Sequence, residues 1–360
     1  MKKNRIFFLI PNKLALVLCL IVVFFFVACK RKESLEIVRT GIQDPETISI
    51  AGLQQRSYIS EVHFEKNLAV TDKYTSKLIS YVSDGLKIYA LVNTPTSKKP
   101  LKGFPILLFG HGFHPTPKEY GVSTKTGKNW RPGDYYRGLP EAYAANGFIV
   151  ITPDYRGHNV SEGFEFTKTS FLASSYYAID MLHLVSALKS LKNADKDSVF
   201  YLGHSLGGDV GLKTILATNQ IKGASIWGGV SVSTAARALY YGKLAENKKD
   251  KTTGQSIEEY LAVVKKIAFG LGFENDLSAI DAINFIQEIN TPIILHHARW
   301  ETSVPYQWSE SLALILFKYQ KIFEIYAYNS KEHLLKGENR KHAIQRDIAF
   351  FNKIDKDKQK

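Results

Sequence analysis

The stretch Val199-Phe200-Tyr201-Leu202-Gly203-His204-Ser205-Leu206-Gly207-Gly208 decides the fold. Four apolar residues read as a buried strand, and the segment from Gly208 to Thr218 is compatible with a helix. Between them lies G-x-S-x-G, a sharp strand–turn–helix connection that lifts a serine hydroxyl clear of a sheet edge. Glycines flank Ser205 because side chains there would collide with the adjoining helix and strand. The helix behind the serine offers free N–H groups to a developing negative charge.

Outward from this elbow the chain alternates strand and helix. Pro105–Phe109 and Phe148–Ile151 are short apolar strands, with a helix over Glu141–Asn146 that Gly147 ends. Met181, Leu184, Leu188 and Leu191 share one helical face. Ala224–Trp227, Ile293–Leu295 and Ile322–Tyr328 are further strands, with helices around Ser309–Tyr319 and His342–Asn352. Ahead of them, two alternating runs meet at Ser83-Asp84-Gly85 and predict a β-hairpin. The expected fold is α/β: a mainly parallel sheet with an antiparallel N-terminal hairpin and helices on both faces. Ser231 to Ile289 separates two strands by about 60 residues, far beyond an ordinary connection. Within it Ser256-Ile257-Glu258-Glu259 is a capping box that opens an amphipathic helix. Residues 232–289 are therefore expected to form a helical cap insertion. The domain is expected over 74–353, after a polar lead-in over 29–73 and before a charged tail over 354–360.

A serine hydroxyl needs a base, an acid to orient that base, and donors for an oxyanion. In this topology they follow in the order Ser, acid, His. His333 lies in the loop after the last strand and is the expected base; His342 belongs to the final helical pattern. Glu301 is the carboxylate in the loop after the Ile293–His297 strand and is the expected acid. A surface glutamate paired with Arg299 is the alternative. The Gly110-His111-Gly112-Phe113 turn ends the first parallel strand. Its Phe113 N–H and the Leu206 N–H are the expected oxyanion hole, with His111 bracing the loop. Asp154 and Arg156 are expected to fix loops near the elbow. His296 and His297 are neighbours on a strand, so they face opposite sides and do not share a metal ion. No cofactor is needed for such chemistry.

The 360 residues can bury a large single core, and 45% hydrophobic with 22% charged residues excludes disorder as the theme. The net charge of +13 comes without a nucleic-acid motif. Lys2, Lys3, Arg5 and Lys13 precede an apolar run from Leu14 to Ala28, shorter than the ~20 residues of a membrane span. Cys29 follows Val27-Ala28 and resembles a bacterial lipobox. Residues 1–28 are thus expected to be a lipoprotein signal and Cys29 the lipidated first residue, anchored in the cell envelope and facing the periplasm or exterior. An uncleaved anchor and plain secretion are the alternatives. The other cysteine, Cys19, lies inside the signal, so a mature chain has no disulfide and no thiol nucleophile.

From Lys77 to Asn352 the chain resembles an α/β-hydrolase. It is most similar to the catalytic domain of the prolyl-oligopeptidase-like (S9) peptidases and to dienelactone-hydrolase and feruloyl-esterase-like enzymes. The residues that carry the resemblance are Ser80–Tyr89, His111-Gly112-Phe113, Asp154–His158, Gly203–Gly208, Thr291–Pro305 and His333. Such enzymes usually read His-Gly-x-x-Asp at the acid, where this chain reads His297-Ala298-Arg299-Trp300-Glu301. The chain leaves no room for the propeller of prolyl oligopeptidases, and the cap resembles the lids of esterases and lipases. The resemblance implies a serine hydrolase acting on a small ester or acyl-peptide. Ester cleavage is the leading expectation, with a peptidase or amidase, or a non-catalytic binding lipoprotein, as alternatives.

Overall fold

The computed structural model describes residues 48–114, 117–119, 136, 138–164, 172–247 and 277–357. Its strands are β1 (His63–Val70), β2 (Tyr74–Ser83), β3 (Leu86–Pro95), β4 (Phe104–Gly110), β5 (Ile149–Asp154), β6 (Ala194–His204), β7 (Ile221–Trp227), β8 (Ile293–Ala298) and β9 (Phe323–Tyr328). The helices are α1 (Ile50–Gln55), α2 (Leu139–Ala145), α3 (Ala173–Ala187), α4 (Leu206–Ala217), α5 (Thr234–Asn247), α6 (Tyr306–Lys318) and α7 (Gly337–Asp357). The strands form one sheet in the order β1-β2-β3-β5-β4-β6-β7-β8-β9. Pairs from β1 to β3, and β3 with β5, are antiparallel. All pairs from β5 onward to β9 are parallel. This is the α/β-hydrolase architecture expected from the sequence.

Side-chain alternation along the central strands makes two core layers. In β4, Phe104, Ile106 and Leu108 enter one layer and Leu107 and Phe109 the other. In β6, Val199 and Tyr201 part in the same way from Phe200 and Leu202. Strands apolar on both faces require helices on both. Leucines and isoleucines of α1, α3, α4 and α6 cover the first layer, and residues of α2 and α7 cover the second. The hairpin turns at Asp84 (φ 50°) and Gly85 (φ 79°), with Ser83 paired to Leu86. Two consecutive positive φ values give the tight turn whose twist suits the flanking strands.

Two expected boundaries are corrected. The lead-in over 29–73 is not a tether in its described part. Ile50 and Leu53 of α1 are fully buried, and the Gln54 amide donates to the Leu216 carbonyl at 3.2 Å, fixing α1 to α4. β1 pairs with β2 as an edge strand with two register shifts. It is largely exposed on both faces, so it lacks the alternation that marks a strand. At the other end the charged tail does not begin at 354: α7 continues to Asp357, and Ile354 packs on the second core layer. Most of the 116–137 loop and the Ser256–Ile267 helix of the cap lie outside the described residues. Of the segment 232–289 expected to form a cap, the described parts are α5 and short 3-10 turns over Ser278–Ile280 and Ala282–Glu288, and the turns bury Ile280, Ala282 and Ile286 in the first core layer instead.

Two buried polar clusters lock the sheet. Asp347 of α7 accepts from Tyr143 Oη (2.5 Å), Trp227 Nε1 (3.0 Å) and His296 Nε2 (2.8 Å). That one carboxylate ties α2, β7 and β8 to α7. Arg156 donates to Asp180 from its backbone (2.8 Å) and its guanidinium (2.7 and 3.0 Å), and reaches Ser83 at the hairpin turn (3.2 Å). A buried charge is tolerated only when paired and hydrogen-bonded in this manner.

Candidate active site

β4, β6, β7, β8 and β9 all end at the same edge of the sheet, and the candidate residues stand in the loops beyond those ends. Ser205 follows β6 and caps α4 with φ 56° and ψ −121°, a conformation that non-glycine residues rarely adopt. Holding it there costs about 1–3 kcal/mol. The turn is pinned on both sides: Ser205 N–H donates to Trp227 O (3.0 Å), and Ser205 O accepts from Gly208 N–H and Val230 N–H (2.9 Å each). The glycines are demanded by space. A Cβ on Gly203 would stand 2.3 Å from Gly207 O, and one on Gly207 would stand 2.0 Å from Gly110 O.

Glu301 and His333 come together from adjacent loops. His333 Nδ1–H donates to Glu301 Oε1 at 2.9 Å, and Nδ1 also lies 2.7 Å from Oε2. The two loops are also joined through their backbones, Arg299 N–H to Tyr328 O (2.8 Å) and Trp300 N–H to Ser330 O (3.0 Å). Glu301 Oε2 accepts in addition from Ser303 N–H (3.2 Å) and Val304 N–H (3.1 Å). Burial by itself would raise the Glu301 carboxyl, but hydrogen bonds from His297 and His333 outweigh it and hold the group down at about 2. Arg299, the alternative partner, lies instead over the Tyr306 ring at 5.1 Å. With Nδ1 engaged by the acid, His333 has Nε2 left for a reacting group. Among the described residues no hydrogen bond yet joins that imidazole to the Ser205 hydroxyl. Such contacts commonly tighten only with substrate in place. The ring of His204, next to Ser205 in the chain, packs 4.3 Å from the ring of His333.

The first donor loop lies against the serine: a Cβ on Gly112 would come within 3.0 Å of Ser205 Cβ. The Phe113 side chain stands in solvent, 62% exposed. Leu206 is the first residue of α4, where a helix N–H has no partner within the helix. His111 is fully buried against Tyr155 (4.2 Å) and His158 (4.9 Å), with Nδ1 at 2.9 Å from Gly112 O. Burial holds it neutral, as suits a brace.

Three features of the site escaped sequence reasoning. His204 Nε2–H donates to His333 O (3.2 Å), while its Nδ1 accepts from Tyr136 Oη (2.7 Å), which in turn accepts from Gly112 N–H (2.8 Å). That string joins the elbow to the Gly112 and His333 loops, and burial keeps His204 neutral within it. His297 Nε2 lies 2.8 Å from Glu301 Oε1, the oxygen that also meets His333 Nδ1. The expectation that His296 and His297 face apart does hold: His296 meets Asp347 and His297 meets Ser309. Lastly, the hydroxyls of Tyr240 and Tyr241 on α5 donate to Thr302 O and Ser303 O at 3.0 Å each, docking α5 on the Glu301 loop. The tyrosine pair at 240–241 was the signal available for this. Among the described residues no group of three or more His, Cys, Asp or Glu side chains is placed to hold a metal ion.

A model of the prolyl oligopeptidase family matches residues 136–357, which include Ser205, Glu301 and His333. The chain belongs to the prolyl oligopeptidase family. It is therefore a serine hydrolase. Over 261 residues this family member is 26% identical to the uncharacterized peptidase YtmA of Bacillus subtilis, covering 71% of this chain and 84% of that one. Two solved structures share its fold. Acetyl xylan esterase 1 of a Thermoanaerobacterium species has a TM-score of 0.56 at 15% identity, covering 87% of this chain and 95% of the esterase. The acylaminoacyl peptidase of Pyrococcus horikoshii has a TM-score of 0.57 at 16% identity, covering 78% of this chain. The chain spans 42% of that peptidase's length. Enzymes for esters and for peptides thus share the architecture of this prolyl oligopeptidase family member.

Proposed function

We propose that the protein cleaves carboxylic esters through an acyl-enzyme. The observation that carries this is a strained serine at the elbow beside a His333–Glu301 pair closed to 2.7 Å. Ser205 attacks the ester carbonyl while its proton passes to His333 Nε2. Glu301 orients the imidazole through Nδ1 and stabilises the imidazolium that forms. The Phe113 and Leu206 amides hold the oxyanion, each worth on the order of 100-fold to 1000-fold in rate. His333 then protonates the leaving alcohol, and water, activated in turn by His333, releases the acid.

Support for an ester comes from the match to acetyl xylan esterase over 95% of that chain, against 42% for the acylaminoacyl peptidase. The second candidate is a peptidase or amidase using the same residues, favoured by the family and by the name of the Bacillus relative. Turnover of p-nitrophenyl esters against aminoacyl p-nitroanilides separates them. Ester-only turnover is expected, and anilide turnover at equal kcat/KM would reject the ester assignment. Labelling by a fluorophosphonate is expected in either case. Its absence would leave a binding protein without catalysis.

From the sequence alone we also propose that Cys29 is lipidated and anchors the enzyme in the cell envelope. No helix among the described residues is long and apolar enough to cross a membrane. Metabolic labelling with an alkynyl palmitate is expected for the wild type and not for Cys29→Ser. Equal labelling of both would refute the anchor.

A further inference from the structure

We infer that His297 is a positioning residue for Glu301, braced against the same carboxylate that His333 meets. Its role rests on the triad proposed above and deepens it. The imidazole is 1% exposed and has fixed surroundings. Nε2 faces two groups that only accept, Glu301 Oε1 (2.8 Å) and Val304 O (3.0 Å). A bare nitrogen between two acceptors would be repelled by both, so Nε2 carries a proton. Nδ1 meets the Ser309 hydroxyl at 2.7 Å, which supplies the hydrogen bond that leaves this tautomer in place. Ser309 is buried on α6, so the string Ser309–His297–Glu301–His333 runs from the core layer to the open edge of the sheet.

The physical need for His297 follows from the acid being glutamate. Its carboxylate sits on a stem with one more rotatable bond than aspartate, and a loose acid would let the His333 ring turn. Ser303 and Val304 amides hold Oε2, and His297 Nε2, hydrogen-bonded to Val304 O at 3.0 Å, stands 2.8 Å from Oε1. Contacts other than His333 thus restrain both oxygens, which limits rotation of the carboxylate that His333 Nδ1 must meet.

The test is a double-mutant cycle between positions 297 and 301 in the full chain, read as kcat and KM for p-nitrophenyl acetate. His297→Phe is expected to lower kcat about 10- to 100-fold, the worth of one hydrogen bond to a charged group, with KM little changed. His297→Gln is expected to recover most of it, because its amide N–H reaches Glu301 and its carbonyl takes the Ser309 hydroxyl. In a Glu301→Gln background the same His297→Phe change is expected to do little more. Equal losses in both backgrounds would show that His297 acts independently of the acid, and would overturn the inference. So would wild-type kcat in His297→Phe. If Phe at 297 does not fold, Ser309→Ala is expected to lower kcat about 2- to 10-fold by freeing the ring, and an unchanged kcat there would overturn it equally. Full activity in Glu301→Gln alone would instead strike at the triad itself, and so separates the two failures.

Discussion

Ser205→Ala is expected to lower kcat toward p-nitrophenyl esters by about 10⁶-fold, with the fold intact. The hydroxyl is the atom that forms the acyl bond, and neither His333 nor the oxyanion donors can replace it. Residual turnover would come from the donors and from binding alone. Fluorophosphonate labelling should vanish with it. A Ser205→Ala protein that still turns over esters, or still labels, would remove Ser205 from the chemistry. The backbone supplies a second and opposite readout. At φ 56° and ψ −121° a serine is strained, and glycine is not. Ser205→Gly is therefore expected to be inactive yet more stable than Ser205→Ala by about 1 kcal/mol in urea unfolding. Equal stability of the two variants would mean that the elbow is not strained in solution.

Glu301→Gln is expected to lower kcat by about 10⁴-fold. The amide can keep the shape of the contact, but its NH₂ faces an imidazole only as a donor, and it carries no charge to support the His333 imidazolium. The same variant reports on stability. The Glu301 carboxyl is held at about 2 in the folded protein, against an ordinary 4.5. A carboxyl lowered by folding contributes stability that is complete above its unfolded value and is lost as pH falls through the folded one. The wild type should therefore lose its advantage over Glu301→Gln progressively between about pH 4.5 and 2. Asp84 is also lowered to about 2 and acts over the same range in both proteins, so the difference between them isolates Glu301. A stability difference that did not vary across that window would mean that the carboxylate gains nothing from its two imidazoles.

Much of the site was legible because parallel topology places loops predictably. With Ser205 after one strand, the topology expects an acid after a later strand and a base after the last, and Glu301 and His333, proposed for those roles, stand on those loops hydrogen-bonded to each other. The Asp84-Gly85 turn was legible for a local reason, since few residue pairs accept two positive φ values. What could not be read depends on where side chains point after folding. Nothing near His204 in the chain says that its ring will meet a carbonyl 129 residues later, or that Tyr136, 68 residues earlier, will meet its other nitrogen. His297 is correctly set on the face opposite His296, but nothing in the strand pattern shows that Glu301, four residues on, folds back to within 2.8 Å of it. β1 was missed because an edge strand exposed on both faces needs no hydrophobic alternation. α1 was missed because six residues hold too little periodicity to recognise.

The backbone bonds from Arg299 to Tyr328 and from Trp300 to Ser330 weld the ends of β8 and β9 into one block. Glu301 and His333, the proposed acid and base, ride on that block together at the outer margin of the sheet, while Ser205, the proposed nucleophile, follows the interior strand β6. Any flexing of the margin therefore leaves the imidazole–carboxylate pair unaltered and changes its gap to the alcohol. The compliant dimension of this machine is the approach of a preassembled proton acceptor to its donor, so mild destabilisation should silence turnover while the pair itself persists.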